Sequence, residues 1–255
     1  MLRLLPSMEK VDIINYMIDR QMNFSSYKAE NLLSGALHNS IARTVLRRAG
    51  ISPEDRLWAL SEEAVERLSG EDAVSMLEIN VSCPNVKEGA IAFGQKPGAL
   101  EEITKEIVAH AGKPVIMKLS PNVTDIAEMA RVAESAGADA ISLINTITGM
   151  KIDVEKRRFA LANKTGGMSG PAIKPVAVRM VYQAAHAVKI PVIGMGGIAN
   201  ANDALEFIMA GAKAVAVGAM NFADPYTTEK VVDGIEEYMH RHNIEDINEL
   251  IGVVQ

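Results

Sequence analysis

The chain has 255 residues, of which 48% are hydrophobic and 23% are charged, so it can bury a core and is not a disordered protein. Its formal net charge of −6 argues against a general nucleic-acid binder, because such proteins need a basic surface. The single cysteine, Cys83, excludes an intrachain disulfide and any zinc or iron–sulfur site ligated by cysteines of this chain alone.

Residues 1–70 are predicted to form a helical N-terminal segment. Three stretches within it, 11–22, 29–50 and 53–70, have helical periodicity. The third follows Ser52, which begins a capping-box pattern with proline in the first turn. Because no convincing strand occurs in this segment, we treat it separately from residues 71–255.

Residues 71–255 alternate short apolar runs with segments of helical periodicity. Near-continuous apolar strands between helices are typical of a parallel sheet, which predicts an α/β fold. The predicted strands are 74–80, 115–119, 140–144, 192–195 and 214–218, and the predicted helices are 100–111, 123–136, 173–188 and 201–210. A closed (β/α)₈ barrel needs eight strands, so a barrel built from these five would be incomplete.

The residues that follow each strand are the candidate site residues, because ligands of parallel α/β sheets lie at the carboxyl ends of the strands. The first predicted strand leads into Asn80-Val81-Ser82-Cys83-Pro84-Asn85, a cluster of amides, a hydroxyl and a thiol. Cys83 could simply be buried, as free cysteines usually are, or it could act as an acid/base or a nucleophile. All five histidines fall in helical patterns away from the strand ends, so acid/base use is favoured over nucleophilic use.

The second and third strands are also followed by polar residues. Lys118 lies near the end of the second strand, where it could face an anion, form a Schiff base or extend to water, and its position favours a site. The third strand leads into Asn145-Thr146-Ile147-Thr148-Gly149. The long connection 150–171 that follows is typical of a lid or binding loop, with glycine-rich flexibility as the alternative. Pro171 then begins a helix, whose N-terminus favours an anion.

The last two strands end in Gly194-Met195-Gly196-Gly197 and Gly218-Ala219-Met220. Loops at these positions of a barrel frequently bind phosphate, because glycine lets backbone N–H groups approach the oxygens. The first sequence also fits a loose dinucleotide motif, but Val217-Gly218 stands where that motif needs an acidic residue. The sequence therefore predicts a phosphate site and not a Rossmann site, and no metal-ligand spacing is present.

Six stretches from about residue 72 to the C-terminus together resemble the catalytic subunit of class 1B dihydroorotate dehydrogenase. They are LEINVSCPNVKEGAIAFGQ, VIMKLSPNVTDI, AGADAISLINTITGM, LANKTGGMSGPAIKPVAVR, PVIGMGGIANANDALEFIMAGA and AVAVGAMNFADPY. The resemblance implies an FMN-dependent TIM-type (β/α)₈ barrel that oxidises dihydroorotate to orotate in de novo pyrimidine (UMP) biosynthesis.

The resemblance also implies roles for individual residues. Cys83 would be the catalytic base that takes a proton from one substrate carbon, while the neighbouring carbon gives a hydride to the flavin. FMN binding is implied for Asn80, Lys118, Ile144, Gly170, Gly196, Gly197, Gly218 and Ala219, and substrate binding for Asn80, Asn145 and Thr146.

Class 1B catalytic subunits work with an electron-transfer subunit that carries FAD and an iron–sulfur cluster and passes electrons to NAD. The resemblance therefore implies a homodimer of catalytic subunits, each with such a partner. The sequence has no secretory signal and no apolar run of about 18 residues, so we expect a cytoplasmic protein that binds neither membrane nor nucleic acid.

The chain departs from the family in residues 1–70, where the family's first three strands are not recognisable. Those strands supply a lysine and a loop that clasps the substrate, so part of the flavin and orotate sites would be missing. Three explanations are open: a truncated or misread gene product, which we favour, a helical segment that fills the gap, or a second copy that completes the barrel. The alternative functions are another FMN-linked pyrimidine reductase, a phosphate-binding lyase with a Schiff base on Lys118, and an inactive truncated remnant.

Overall fold

The computed structural model describes residues 65–66, 68–81 and 94–254. Most of the predicted helical segment 1–70 lies outside the described residues, as does Cys83. The end of the third predicted helix is described, and the helical residues there are Val65, Glu66, Leu68 and Ser69.

A five-stranded parallel sheet lies at the centre of the described residues. The strands in chain order are β1 Leu77–Asn80, β2 Val115–Lys118, β3 Ala140–Leu143, β4 Ile147–Met150, β5 Ile152–Asp153, β6 Arg158–Phe159, β7 Thr165–Met168, β8 Val192–Met195 and β9 Ala214–Ala216. The parallel sheet has the order β1-β2-β3-β8-β9, so its members are the five predicted strands. The α/β fold class is therefore confirmed, and the five parallel strands of the described residues are consistent with part of a TIM-type barrel.

Helices follow the parallel strands and include the four that the sequence predicts, α1 to α4. In chain order they are α1 Pro97–His110, α2 Ile126–Ser135, α3 Lys174–Ala185, α4 Ala201–Met209, α5 Met220–Ala223 and α6 Thr227–His242, with 3₁₀ turns at Pro171–Ile173 and Ile247–Leu250. The Asp125 carboxylate caps the N-terminus of α2 by accepting hydrogen bonds from two backbone N–H groups of the first turn. The Asn200 side chain caps α4 by accepting a hydrogen bond from one such N–H group. None of the described helices is long and apolar enough to cross a membrane.

The two faces of the parallel sheet have different surroundings. Side chains alternate between the faces along each strand. The side chains that face the helices, such as Met117 and Ile141, are fully buried in one hydrophobic core that also contains Phe207 from α4. The opposite face, which is the interior face in a closed barrel, carries the polar side chains of Glu78, Asn80, Lys118 and Ser142.

The long connection 150–171 belongs to an antiparallel ribbon between β3 and α3. In the ribbon β4 pairs with β7, so that Ile147 lies opposite Met168, and the short strands β5 and β6 pair with each other. The connection is therefore built largely of paired strands. Its paired strands bring Ser169 and Gly170 back to the carboxyl end of the parallel sheet, where both residues line a cavity.

Candidate functional site

A cavity of about 200 Å³ lies at the carboxyl ends of β2, β3, β8 and β9. Its wall is completed by the chain around the 3₁₀ turn that precedes α3. The lining residues are Lys118, Ile144, Asn145, Thr146, Ser169, Gly170, Ile173, Met195, Gly196, Gly197, Ile198, Ala216, Val217, Gly218, Ala219 and Met220. Segments far apart in the sequence therefore meet at one end of the sheet, as parallel strands require.

Nine of the eleven residues assigned to the site from sequence line this cavity. Asn80 is not among the lining residues, but its Oδ1 accepts a hydrogen bond of 3.1 Å from Nδ2 of Asn145, which does line it. Cys83 lies outside the described residues, three positions after Asn80. The structure thus brings the described members of the set together, while their individual roles stay predictions. Within the described part of the chain, no group of three or more His, Cys, Asp or Glu side chains could hold a metal ion.

Backbone, rather than side chains, forms one wall of the cavity. Gly196 and Gly197 follow β8 with φ angles of 128° and 84°. A Cβ atom on Gly197 would lie 2.9 Å from the carbonyl oxygen of Gly170, so these two loops are in close contact. A Cβ atom on Gly170 or Gly218 would meet no atom within 4 Å, which shows that both face open space. Such a wall can present N–H groups to an anion, and side chains at these glycines would fill the space that the anion needs.

Lys118 extends from the polar face of β2 and forms an ion pair with Glu78 of β1. Its Nζ lies 3.4 Å from the Glu78 Oε1, and the Lys118 side chain is 21% exposed. The predicted cost of an unpaired charge in an apolar strand is therefore avoided by a neighbouring carboxylate. Ser142 is the β3 residue opposite Lys118, and its fully buried hydroxyl has no hydrogen-bond partner among the described residues.

Amide side chains hold the chain segment that follows β3. The Thr146 N–H donates to Oδ1 of Asn145 at 2.8 Å. Asn122, from the loop after β2, holds the same segment on both sides of Ile147. Its Nδ2 donates to the carbonyl oxygen of Thr146 at 3.1 Å, and its Oδ1 accepts from the N–H of Thr148 at 3.0 Å. The sequence analysis did not assign Asn122 to the site, although its position after a strand end was the available signal.

A charged cluster ties α3 to α4 behind the glycine wall. The Lys174 Nζ donates to Oδ1 of Asp203 at 2.7 Å and to the Glu206 carboxylate. The second Asp203 oxygen accepts from the Ala199 N–H at 2.9 Å. The hydrogen bond to Asp203 has the largest effect on the pKa of Lys174, followed by the hydrogen bond to Glu206. Both raise that pKa above its usual 10.5, whereas burial lowers it. Sequence reasoning missed this cluster, because a lysine in the first turn of a helix is usually a surface residue.

A comparison with protein families decides what kind of chain this is. The model of the family described as "Dihydroorotate dehydrogenase" matches residues 26–239. The chain belongs to this family. The match begins inside the segment 1–70, so part of that segment aligns with the dihydroorotate dehydrogenase model as well.

Similar proteins of this family carry the name "Dihydroorotate dehydrogenase B (NAD(+)), catalytic subunit". The one from Lachnoclostridium phytofermentans is 68% identical over 193 residues, which are 76% of this chain and 64% of the relative. Those from Geobacter sp. (strain M21) and Alkaliphilus oremlandii are 54% and 56% identical, over 76% and 74% of this chain and 63% of each relative. The resemblance to class 1B is therefore confirmed, and the chain spans about 64% of the length of the relative from L. phytofermentans.

A solved structure of the family has the same fold. The crystal structure of DHODH from Eimeria tenella in complex with ferulenol matches with a TM-score of 0.64 and 23% sequence identity. The match covers 80% of this chain and 58% of that protein. This likeness supports the assignment of the parallel sheet to a TIM-type barrel.

Proposed function

We propose that the chain carries the FMN-binding portion of a dihydroorotate dehydrogenase, which oxidises dihydroorotate to orotate in de novo pyrimidine (UMP) biosynthesis. The observation that carries this proposal is the cavity at the strand ends, in a chain of the dihydroorotate dehydrogenase family. Glycine backbone lies on one side of the cavity, and an amide- and hydroxyl-bearing segment lies on the other. These are the groups that a phosphate and a polar ring substrate need.

The glycine wall would hold the FMN phosphate and ribityl chain. Gly196 and Gly197 line the cavity and have no side chains that would fill it. The space in front of Gly170 and Gly218 is open. The phosphate would be bound by backbone N–H groups of this wall, with Ala219 beside them. When bound, FMN supplies the acceptor for the hydride that leaves the substrate.

The flavin ring would lie between the glycine wall and the polar face of the sheet. Ile144 gives it an apolar contact, and Lys118 places a cation at the edge of the cavity. The ion pair with Glu78 fixes the direction of the Lys118 side chain. Asn80 lies opposite Lys118 in the sheet and would contact both the flavin and the substrate.

Asn145 and Thr146 would bind dihydroorotate. The substrate has a carboxylate and a ring with amide N–H and C=O groups, so it needs both donors and acceptors. Amide and hydroxyl side chains supply both kinds of group. Asn122 binds the backbone of Thr146 and Thr148 and so fixes the segment that carries these two residues in the absence of substrate.

Cys83 is proposed as the base that removes a proton from the substrate carbon. A free cysteine has a pKa of about 8.5, so only a small fraction is thiolate at neutral pH unless the site lowers that value. We therefore expect the rate of flavin reduction by dihydroorotate to rise with pH. Cys83→Ser should slow that reduction by about 10²–10⁴-fold, which is the usual contribution of a general base, while FMN binding is retained.

The relatives' name, "catalytic subunit", supports a partner for this protein as well. We propose that the partner is an electron-transfer subunit with FAD and an iron–sulfur cluster, and that catalytic subunits form a homodimer in the cytoplasm. The division of the chain into a segment 1–70 and an FMN-binding portion 71–255 is part of the same proposal.

The proposal is tested by loading the purified chain with FMN, removing free flavin, and adding dihydroorotate without oxygen. Loss of the flavin absorbance in the wild-type chain supports the proposed reaction. A loss that is about 10²–10⁴-fold slower in Cys83→Ser supports the proposed base, and an equal rate in the two chains contradicts it. Bound FMN that other dihydropyrimidines bleach but dihydroorotate does not indicates another pyrimidine reductase. A chain that binds FMN but is bleached by none of them is an inactive remnant. Borohydride trapping at Lys118 without FMN binding would instead support the Schiff-base lyase.

A further inference from the structure

We propose that Lys174 is a positioning residue for the FMN phosphate, and that it acts through Asp203 and Glu206 rather than by contacting the phosphate. The inference rests on the proposed function, because it concerns the affinity of the glycine wall for a phosphate. Lys174 is not among the residues that line the cavity, and its ammonium group is bound by the two carboxylates of α4.

The first argument is a continuous set of contacts from α3 to the glycine wall. The Lys174 Nζ lies 2.7 Å from Oδ1 of Asp203, and the other Asp203 oxygen accepts the N–H of Ala199 at 2.9 Å. Ala199 is two residues after Gly197, on the loop that connects β8 to α4. The position of the Lys174 ammonium group therefore sets the position of the loop that contains Gly197.

The second argument is how closely the two loops approach each other. A Cβ atom on Gly197 would lie 2.9 Å from each of three atoms: the Gly170 carbonyl oxygen, the Lys174 backbone nitrogen and the Lys174 Cβ. The backbone of Lys174 thus packs against Gly197, while its side chain binds Asp203, which accepts the N–H of Ala199 on the same loop as Gly197. Without the ion pair, α3 and α4 would lose the charged link that holds the two loops at this separation.

The third argument is the balance of charge near the cavity. Asp203 and Glu206 place two negative charges behind a wall that should receive a phosphate, and Lys174 reduces the net charge of the cluster to −1. The side chains of Lys174 and Asp203 are only 22% and 12% exposed, so solvent and salt screen these charges less than at an open surface. Removal of the Lys174 charge alone would leave two uncompensated carboxylates that repel the phosphate.

The test compares binding of FMN with binding of riboflavin, which has the same ring system but no phosphate. Flavin fluorescence gives both dissociation constants for the wild-type chain, for Lys174→Met and for Lys174→Arg. We expect Lys174→Met to weaken FMN binding by about tenfold or more, because the carboxylates are left unpaired, and to change riboflavin binding by less than about twofold. Lys174→Arg keeps a cation that can reach both carboxylates, so it should restore most of the FMN affinity.

Lys105→Met is the matched control, because Lys105 forms an exposed ion pair of 2.5 Å with Glu101 on α1. It should change neither dissociation constant. If Lys174→Met loses affinity for FMN and riboflavin equally, Lys174 has only a structural role and the inference is wrong. A wild-type chain that binds FMN no better than riboflavin would instead contradict the proposed phosphate site itself, and the inference with it.

Glu206→Gln provides the test if Lys174→Met does not fold. This variant keeps the pair between Lys174 and Asp203 and removes one negative charge from a side chain that is 48% exposed. We expect it to bind FMN about two- to fivefold more tightly, with riboflavin binding unchanged. FMN binding that is unchanged or weaker in this variant would overturn the electrostatic argument.

Discussion

Gly197→Ala should destabilise the protein more than an ordinary surface substitution does. Gly197 has a φ of 84°, a left-handed value that costs a residue with a Cβ about 1–2 kcal/mol. The new Cβ would also lie 2.9 Å from the Gly170 carbonyl oxygen and from two atoms of Lys174. Two of these three atoms belong to the backbone and cannot rotate away, so crowding adds about 1–3 kcal/mol. The expected loss in the free energy of unfolding is therefore about 2–5 kcal/mol.

Urea unfolding followed by circular dichroism measures this loss. With a slope of about 1–3 kcal/mol per molar urea, the midpoint for Gly197→Ala should fall by about 0.7 M or more. Gly218→Ala is the matched control, because Gly218 does not have a left-handed φ and its Cβ would meet no atom within 4 Å. It should unfold within about 0.5 kcal/mol of the wild-type chain, as most unstrained substitutions do, but it should bind FMN more weakly because the methyl group enters the cavity. Equal midpoints for the two variants would refute the reasoning.

Asn122→Ala should weaken the binding of orotate to the FMN-loaded chain, because the hydrogen bonds of Asn122 to the backbone of Thr146 and Thr148 are lost, while FMN binding stays within about twofold. Titration calorimetry measures both affinities, and unchanged orotate binding would contradict this prediction. The raised pKa of Lys174 means that its ion pairs contribute stability that is fully present below pH 10.5 and is lost as the pH rises through the folded-state value. The stability difference between the wild-type chain and Lys174→Met, measured by urea unfolding, should therefore stay constant from pH 7 to 9 and shrink above pH 10.5. A difference that shrinks between pH 7 and 9 would contradict the raised pKa of Lys174. Asp125→Ala should lower the free energy of unfolding by about 1 kcal/mol, because two N–H groups of α2 lose their acceptor, and a midpoint equal to that of the wild-type chain would show that the cap contributes nothing.

Local sequence patterns were sufficient to predict the parallel sheet and most of the described site. The apolar runs marked the strands because strands of this sheet pack against helices, and the central strands β2 and β3 bury nearly all of their side chains. Most of the residues that line the cavity could then be located by the rule that ligands lie at the carboxyl ends of parallel strands. Asn145, Thr146 and the glycines after β8 and β9 satisfy that rule, and all of them line the cavity.

The tertiary structure alone decided how the site is supported. Lys174 and Asp203 are 29 positions apart, and Asn122 and Thr146 are 24 apart, so no local pattern connects either pair. The antiparallel pairing of β4 with β7 was missed for the same reason, because strand pairing depends on how distant segments meet. Periodicity and turn residues act over a few positions and therefore determined the elements and the ends of the strands. The ion pairs and amide contacts that hold those ends in place depend on three-dimensional proximity, which only the folded chain supplies.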